Sequence, residues 1–85
     1  LRKQIDEIDM SILEILAKRM RISREIGQYK KEHDMAILQS KRYDEIISKR
    51  VADGKTMSMG EDFLNTIFEA IHAESVRQQM EIMNK

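Results

Sequence analysis

Residues 1–32 read LRKQIDEIDMSILEILAKRMRISREIGQYKKE, and within them Leu1, Ile5, Ile8, Ile12 and Ile15, then Ile22, Ile26 and Tyr29, follow alternating steps of four and three on one face, with the position between the two runs, residue 19, skipped. That spacing is the apolar face of one α-helix. No proline interrupts it, and its one glycine, Gly27, marks a place where a second backbone can come close. The pattern predicts a helix from the start of the stretch to Glu32 or His33. At about 1.5 Å per residue such a helix is about 48 Å long, whereas a compact chain of this size is about 30 Å across. The helix therefore overhangs its own domain. Its apolar face would stay wet along the overhang, at about 25 cal/mol per Å², and a second copy of the chain is the natural cover. An intertwined homodimer is the expected assembly, although the same spacing also suits a coiled-coil segment.

Beyond this helix the pattern fades through His33-Asp34-Met35-Ala36, which reads as a short connection. A second helix fits Gln39 to Ala52, with Tyr43, Ile46, Ile47 and Val51 inward and Asp53-Gly54 as its stop. Lys55-Thr56-Met57 reads as a loop. Ser58-Met59-Gly60-Glu61 has the spacing of a capping box, and Phe63, Leu64, Ile67, Phe68 and Ile71 open a third helix running to about Met83. The fold class is all-α, with three helices, one long, one medium and one medium-long.

Composition agrees and narrows the function. The 85 residues hold no cysteine and no proline, three glycines and four aromatic residues, which disfavours sheets and leaves no disulfide or thiol chemistry. Fifteen basic residues cancel fifteen acidic ones, so the basic surplus of a nucleic-acid binder is missing. No window has the apolar length of a membrane span, and the default compartment is the cytoplasm. His33 and His72 read as a helix-end and a surface histidine without paired metal-ligand spacing, and the seven methionines read as core filler.

Polar residues break the apolar ladders at informative places. The step after Ile15 falls on Arg19, and Lys30 follows eleven residues later, three turns on and nearly in register, so both side chains can converge on one anion. Taken alone, Arg19 also fits a snorkelling or ion-paired arginine. In the third helix the stripe Leu64, Phe68, Ile71 continues as Ser75 and Gln79, where packing would favour leucine. Arg42 adds a cation near the start of the second helix. Together Arg19, Lys30, Arg42, Ser75 and Gln79 describe a pocket for a small dianion, rich in donors and without a general base. Arg2 lies about 25 Å from Arg19 along the same helix, so an antiparallel partner chain is the better source for it.

The stretches Leu1-Arg2-Lys3-Gln4-Ile5-Asp6-Glu7-Ile8-Asp9, Leu16-Ala17-Lys18-Arg19-Met20, Ile26-Gly27-Gln28-Tyr29-Lys30 and Glu74-Ser75-Val76-Arg77-Gln78-Gln79 resemble, in order and spacing, the all-helical chorismate mutases of the bacterial AroQ class. The first matches the family's LRxxIxxxD opening and the last its (E/D)SxxxQ signature. The resemblance covers nearly the whole chain. It implies a three-helix chain in an interlocked dimer with two shared sites, catalysing the Claisen rearrangement of chorismate to prephenate in Phe and Tyr biosynthesis, with no metal and no cofactor. It implies that Arg19 and the partner chain's Arg2 grip the substrate carboxylates, that Arg42 helps to orient them, that Lys30 and Gln79 flank the ether oxygen, and that Ser75 sits beside a carboxylate. Because residue 79 is glutamine, its donor needs no protonation, and activity should stay broad across neutral pH.

The chain departs from the family in one region. It has Gln39 where an acidic residue is common, and Tyr43 where a glutamate usually meets the substrate hydroxyl. Gln39, the Tyr43 hydroxyl or a backbone group is left to recognise that hydroxyl. Two other readings accompany the mutase: an isochorismate pyruvate lyase, whose substrate carries the hydroxyl elsewhere, and a non-catalytic helical dimerisation or regulatory domain. The opening on Leu1 inside a helical pattern suggests a domain cut from a longer bifunctional protein, fused to another aromatic-pathway enzyme.

Overall fold

The apolar ladder of the opening stretch folds as α1, Arg2–Glu32, 31 residues without a break. A computed structural model describes residues 1–37 and 40–85, and adds α2, Ser40–Lys55, and α3, Glu61–Met83. The second helix of the sequence reading is therefore real. Its first residue in that reading, Gln39, lies outside the described residues. Helix α3 is the middle element, with α1 packed along it on one side and α2 on the other. The chain measures 47 × 27 × 14 Å, and its long dimension is that of α1.

Both connections open on the same device, which the sequence reading missed at the second. At the end of α1, Asp34 takes a left-handed conformation (φ 51°), and the Met35 N–H donates to the Lys30 carbonyl at 2.9 Å. At the end of α2, Ser58 does the same (φ 65°), with Ser58 N–H donating to Lys55 O and Met59 N–H to Gly54 O, each at 3.3 Å. Each is a Schellman closure with a residue other than glycine in the left-handed position. Ser58 is thus spent on ending α2 and cannot take the extended conformation of an N-cap. Gly60 takes it instead (φ −73°, ψ 148°), so the capping box read at Ser58 and Glu61 does not form.

Gly54 is not a stop either. It lies within the last turn of α2, where a Cβ would stand 2.5 Å from Leu64 Cδ2, so its role is to let α2 and α3 close together. Around this contact the inward side of α2 falls where the spacing put it, with Val51 buried and Tyr43, Ile46 and Ile47 half-buried.

Val51 and Leu64 are the buried apolar residues, and the other buried side chains are polar: Ser23, Ser75 and Gln79. The apolar stripe on the first half of α1 is in water, from 48% exposure at Ile12 to 99% at Leu1. Methionine does not serve as core filler within the single chain, since Met10, Met35, Met57, Met59 and Met80 are all exposed. Among the described residues no helix is long and apolar enough to cross a membrane.

Candidate active site

Where the end of α1, the following connection, α2 and α3 meet, they enclose a cavity of about 330 Å³ walled by Lys30, Ile37, Arg42, Tyr43, His72 and Gln79. Lys30 projects from the last turn of α1, and its ammonium donates to the Ile37 carbonyl at 2.9 Å. Burial, then the charge of Arg42, lowers its pKa from the usual lysine value. This ammonium is held by a single backbone carbonyl and faces a second cation. It is poised to exchange that carbonyl for an oxygen of a bound anion.

Three turns back along α1, Arg19 reaches across to α3 and donates from Nη1 to Ser75 Oγ at 2.6 Å. Ser23 donates to the same oxygen at 3.0 Å, and Ser75 passes its own proton towards Met20 Sδ at 3.7 Å. Both acceptor positions and the one donor of the Ser75 hydroxyl are thereby used. The arginine is held at one nitrogen, leaving the rest of its fork for a carboxylate. Burial, then the nearby charge of Arg50 on α2, lowers the Arg19 pKa.

Gln79 is buried one turn beyond Ser75 on α3, against α1 at Gly27. The close approach read at Gly27 is present, since a Cβ there would meet Gln79 Cα at 3.0 Å. Gln79 Oε1 is buried without a hydrogen-bond partner. So is Nε2 of His72, whose ring stacks on Tyr43 with centroids 3.9 Å apart and planes inclined by 29°.

The electrostatics are one-sided. His72 is pushed below the ordinary histidine value by burial and then by Arg19 and Lys30, so it is neutral at neutral pH. Among the described residues no carboxylate lines the cavity. The ion pairs among the described residues join Arg77 to Glu74 at 2.7 Å and to Glu81 at 3.1 Å along α3. Hydrogen bonds from Arg77 and Gln78 draw the Glu74 carboxyl down to about 2. Its charge is engaged there, away from the cations. Among the described residues no group of histidines and carboxylates is placed to hold a metal ion.

The structure thus brings together Lys30, Arg42, Tyr43 and Gln79 around one cavity, and joins Arg19 to Ser75 beside it. Arg2 is exposed at the far end of α1. Gln39 lies outside the described residues. Three residues went unread. Ser23 is one turn after Arg19 on the face that meets Ser75, a signal the sequence carried. Arg50, which no sequence pattern singled out, comes near Arg19 only through the packing of α2. His72, read as a surface histidine, is half-buried in the cavity wall, because the step of the α3 ladder read at Ile71 passes equally well through its neighbour.

The family described as chorismate mutase type II matches residues 1–80 of the chain. A bifunctional chorismate mutase/prephenate dehydratase of Buchnera aphidicola subsp. Acyrthosiphon pisum is 30% identical over 84 residues, 99% of this chain and 22% of the relative. The protein of the same description from Buchnera aphidicola subsp. Schizaphis graminum is 29% identical over the same share of both chains. A T-protein of Enterobacter agglomerans is 27% identical over 75 residues, 88% of this chain and 20% of the relative. The chain thus spans about a fifth of the length of these curated relatives.

Proposed function

The chain belongs to the chorismate mutase type II family, and from that premise we propose that it rearranges chorismate to prephenate at the cavity between α1, α2 and α3. In this reaction the ether C–O bond breaks while the enolpyruvyl methylene carbon bonds to the ring. Electrons move in one cycle, and no proton or nucleophile takes part. What an enzyme can add is a compact substrate conformation and donors at the ether oxygen, where negative charge gathers as its bond breaks.

The observation that carries this reading is the charge pattern: Lys30 and Arg42, with neutral hydrogen-bonding groups and no carboxylate among the described residues, around a cavity of about 330 Å³, and Arg19 beside it at Ser75. The free fork of Arg19 takes one substrate carboxylate, with the Ser75 hydroxyl beside it, and Arg42 helps to set its orientation. Lys30 leaves the Ile37 carbonyl for the ether oxygen, and the buried Gln79 amide supplies a second, uncharged hydrogen bond there. Lys30, Gln79 and Arg19 are the catalytic residues on this reading.

Arg2 completes the site from a second copy. The exposed stripe Leu1, Ile5, Ile8, Ile12 and Ile15 supports an antiparallel dimer in which each α1 covers the other, and such a pairing carries Arg2 towards the partner's Arg19. The length of the curated relatives, and the name of one of them, support reading residues 1–85 as the mutase domain of a longer, bifunctional polypeptide.

The test is to incubate the protein with chorismate and measure prephenate and pyruvate separately. Prephenate without pyruvate is expected. Pyruvate from isochorismate would make the site that of a lyase, and neither product would leave a helical interaction domain.

A further inference from the structure

His72 is a histidine at which three unrelated observations meet. Its ring lies against Tyr43 of α2, at 3.9 Å between centroids. Its Nε2 is buried and has no hydrogen-bond partner among the described residues. Its side chain forms part of the cavity wall, together with Lys30, Arg42 and Gln79. A buried polar nitrogen without a partner calls for an explanation, and a group that enters when the cavity is occupied supplies one.

The surroundings say what kind of group. The charges that act on His72 are those of Arg19 and Lys30 from α1, Arg42 stands on the α2 side of the same cavity, and Glu74 on its own helix is engaged with Arg77 and Gln78. Burial and these cations keep the imidazole neutral, so its unprotonated nitrogen can accept a hydrogen bond. Lysine and arginine side chains can only donate. Chorismate has two carboxylates and an ether oxygen, all acceptors, and one hydroxyl, the group on it that can donate. Donor-only cations therefore suit everything on the substrate except that hydroxyl, which needs an acceptor. Position 43, the one departure on α2, holds a tyrosine ring and no carboxylate. Gln79 Oε1 is the other unpartnered acceptor, about two turns further along α3, but on the reading above its amide serves the ether oxygen.

We propose that His72 binds the ring hydroxyl of the substrate through Nε2, with Tyr43 as the positioning residue that holds the imidazole by stacking. This deepens the reading of the site as a chorismate-binding cavity and rests on it. Residues 43 and 72 act as a unit: the ring at 43 makes no hydrogen bond to substrate, and the neighbouring helix supplies the acceptor.

The experiment compares steady-state kinetics on chorismate and on its analogue with the ring hydroxyl replaced by hydrogen, for the wild type, His72→Leu, His72→Gln, Tyr43→Phe and Tyr43→Leu. The wild type should prefer chorismate. His72→Leu should raise KM for chorismate about tenfold, with kcat changed less, and should treat the two substrates alike. His72→Gln, which sets an amide close to the Nε2 position, should recover part of the preference. Tyr43→Phe keeps the stack and should retain the preference for chorismate over the analogue, whereas Tyr43→Leu should lose it as His72→Leu does. Circular dichroism and thermal melts of each variant separate loss of contact from loss of fold, and His72→Gln carries the test if the leucine variant does not fold. The proposal is overturned if His72→Leu or His72→Gln is folded and keeps the wild-type KM and preference. It is also overturned if Tyr43→Phe alone abolishes the preference, which would assign the hydroxyl to the tyrosine. A wild type with no activity on chorismate would remove the functional reading itself, and this proposal with it.

Discussion

Gly27 and Gln79 touch backbone to backbone: a Cβ built on the glycine would stand 3.0 Å from Gln79 Cα and 3.3 Å from both its Cβ and its carbonyl oxygen. The amide that the proposed function assigns to the ether oxygen is thus positioned by the absence of a side chain on the facing helix. In Gly27→Ala the helix propensity of alanine gains about 1 kcal/mol, which offsets the strain of moving α3 by a few tenths of an ångström. Thermal stability should therefore change little, while kcat falls about tenfold through displacement of Gln79. A large drop in melting temperature with unchanged kcat would mean that the contact serves packing alone.

Among the described residues Lys30 makes one hydrogen bond, to the Ile37 carbonyl of the connection. Lys30→Ala should cost about 10²- to 10³-fold in kcat, by comparison with the removal of other transition-state donors. Its urea midpoint should stay near that of the wild type. Equal losses of activity and of stability would contradict the role given to the ammonium.

Arg2 and Arg19 lie on one helix but serve different copies in the proposed dimer. Arg2→Ala and Arg19→Ala should each be nearly inactive alone. Mixed in equal amounts and allowed to exchange, half of the dimers carry one chain of each kind and each of these regains one of two sites, so about a quarter of wild-type activity should return. No recovery after verified exchange would refute the shared site.

His72 binds its proton less tightly in the folded chain than at the ordinary value of 6.5, first through burial and then through Arg19 and Lys30. The unfolded chain therefore takes up that proton first as pH falls. The stability tied to a neutral His72 is present above pH 6.5 and is lost as pH falls through the lower folded value. Melting temperatures followed from pH 8 to pH 4, roughly, should show a steeper acid decline for the wild type than for His72→Gln. Parallel profiles would count against the burial of this imidazole.

Ser58 occupies the left-handed region at φ 65°, where a Cβ is unfavourable. Ser58→Gly should raise stability by about 0.5–1 kcal/mol, the relief of that strain less the added freedom of the unfolded glycine. The matching change at Asp34 should give less, since aspartate tolerates this region better. Denaturant titration decides both, and a destabilised Ser58→Gly would show that the hydroxyl matters to the turn.

The sequence exposes some of this and hides the rest for definite reasons. Helix α1 was readable from end to end because its ladder of isoleucines is long and broken only at Arg19, and Gly27 stood out against it. Arg19, Lys30, Ser75 and Gln79 were readable as polar residues at core positions of those ladders. The ends of the shorter helices were not, because Ser58 favours a cap and a left-handed turn alike, and the choice between them is made by the carbonyls of Gly54 and Lys55. His72 was missed because two neighbouring positions compete for one step of the α3 face. Arg50 could not be found at all along the chain, since only the folding of α2 against α3 brings its charge near Arg19.

The smallest dimension of the chain, 14 Å, is little more than the width of one helix with its side chains, about 10–12 Å. A slab of that thickness has two faces and no middle. Every side chain that is not trapped at a seam between neighbouring rods looks out on one side or the other, so this polypeptide can make an interior only by lying against something else. If that something is its own copy, folding becomes a second-order event: the midpoint of unfolding should climb with protein concentration, and dilution should dismantle catalyst and fold in a single step.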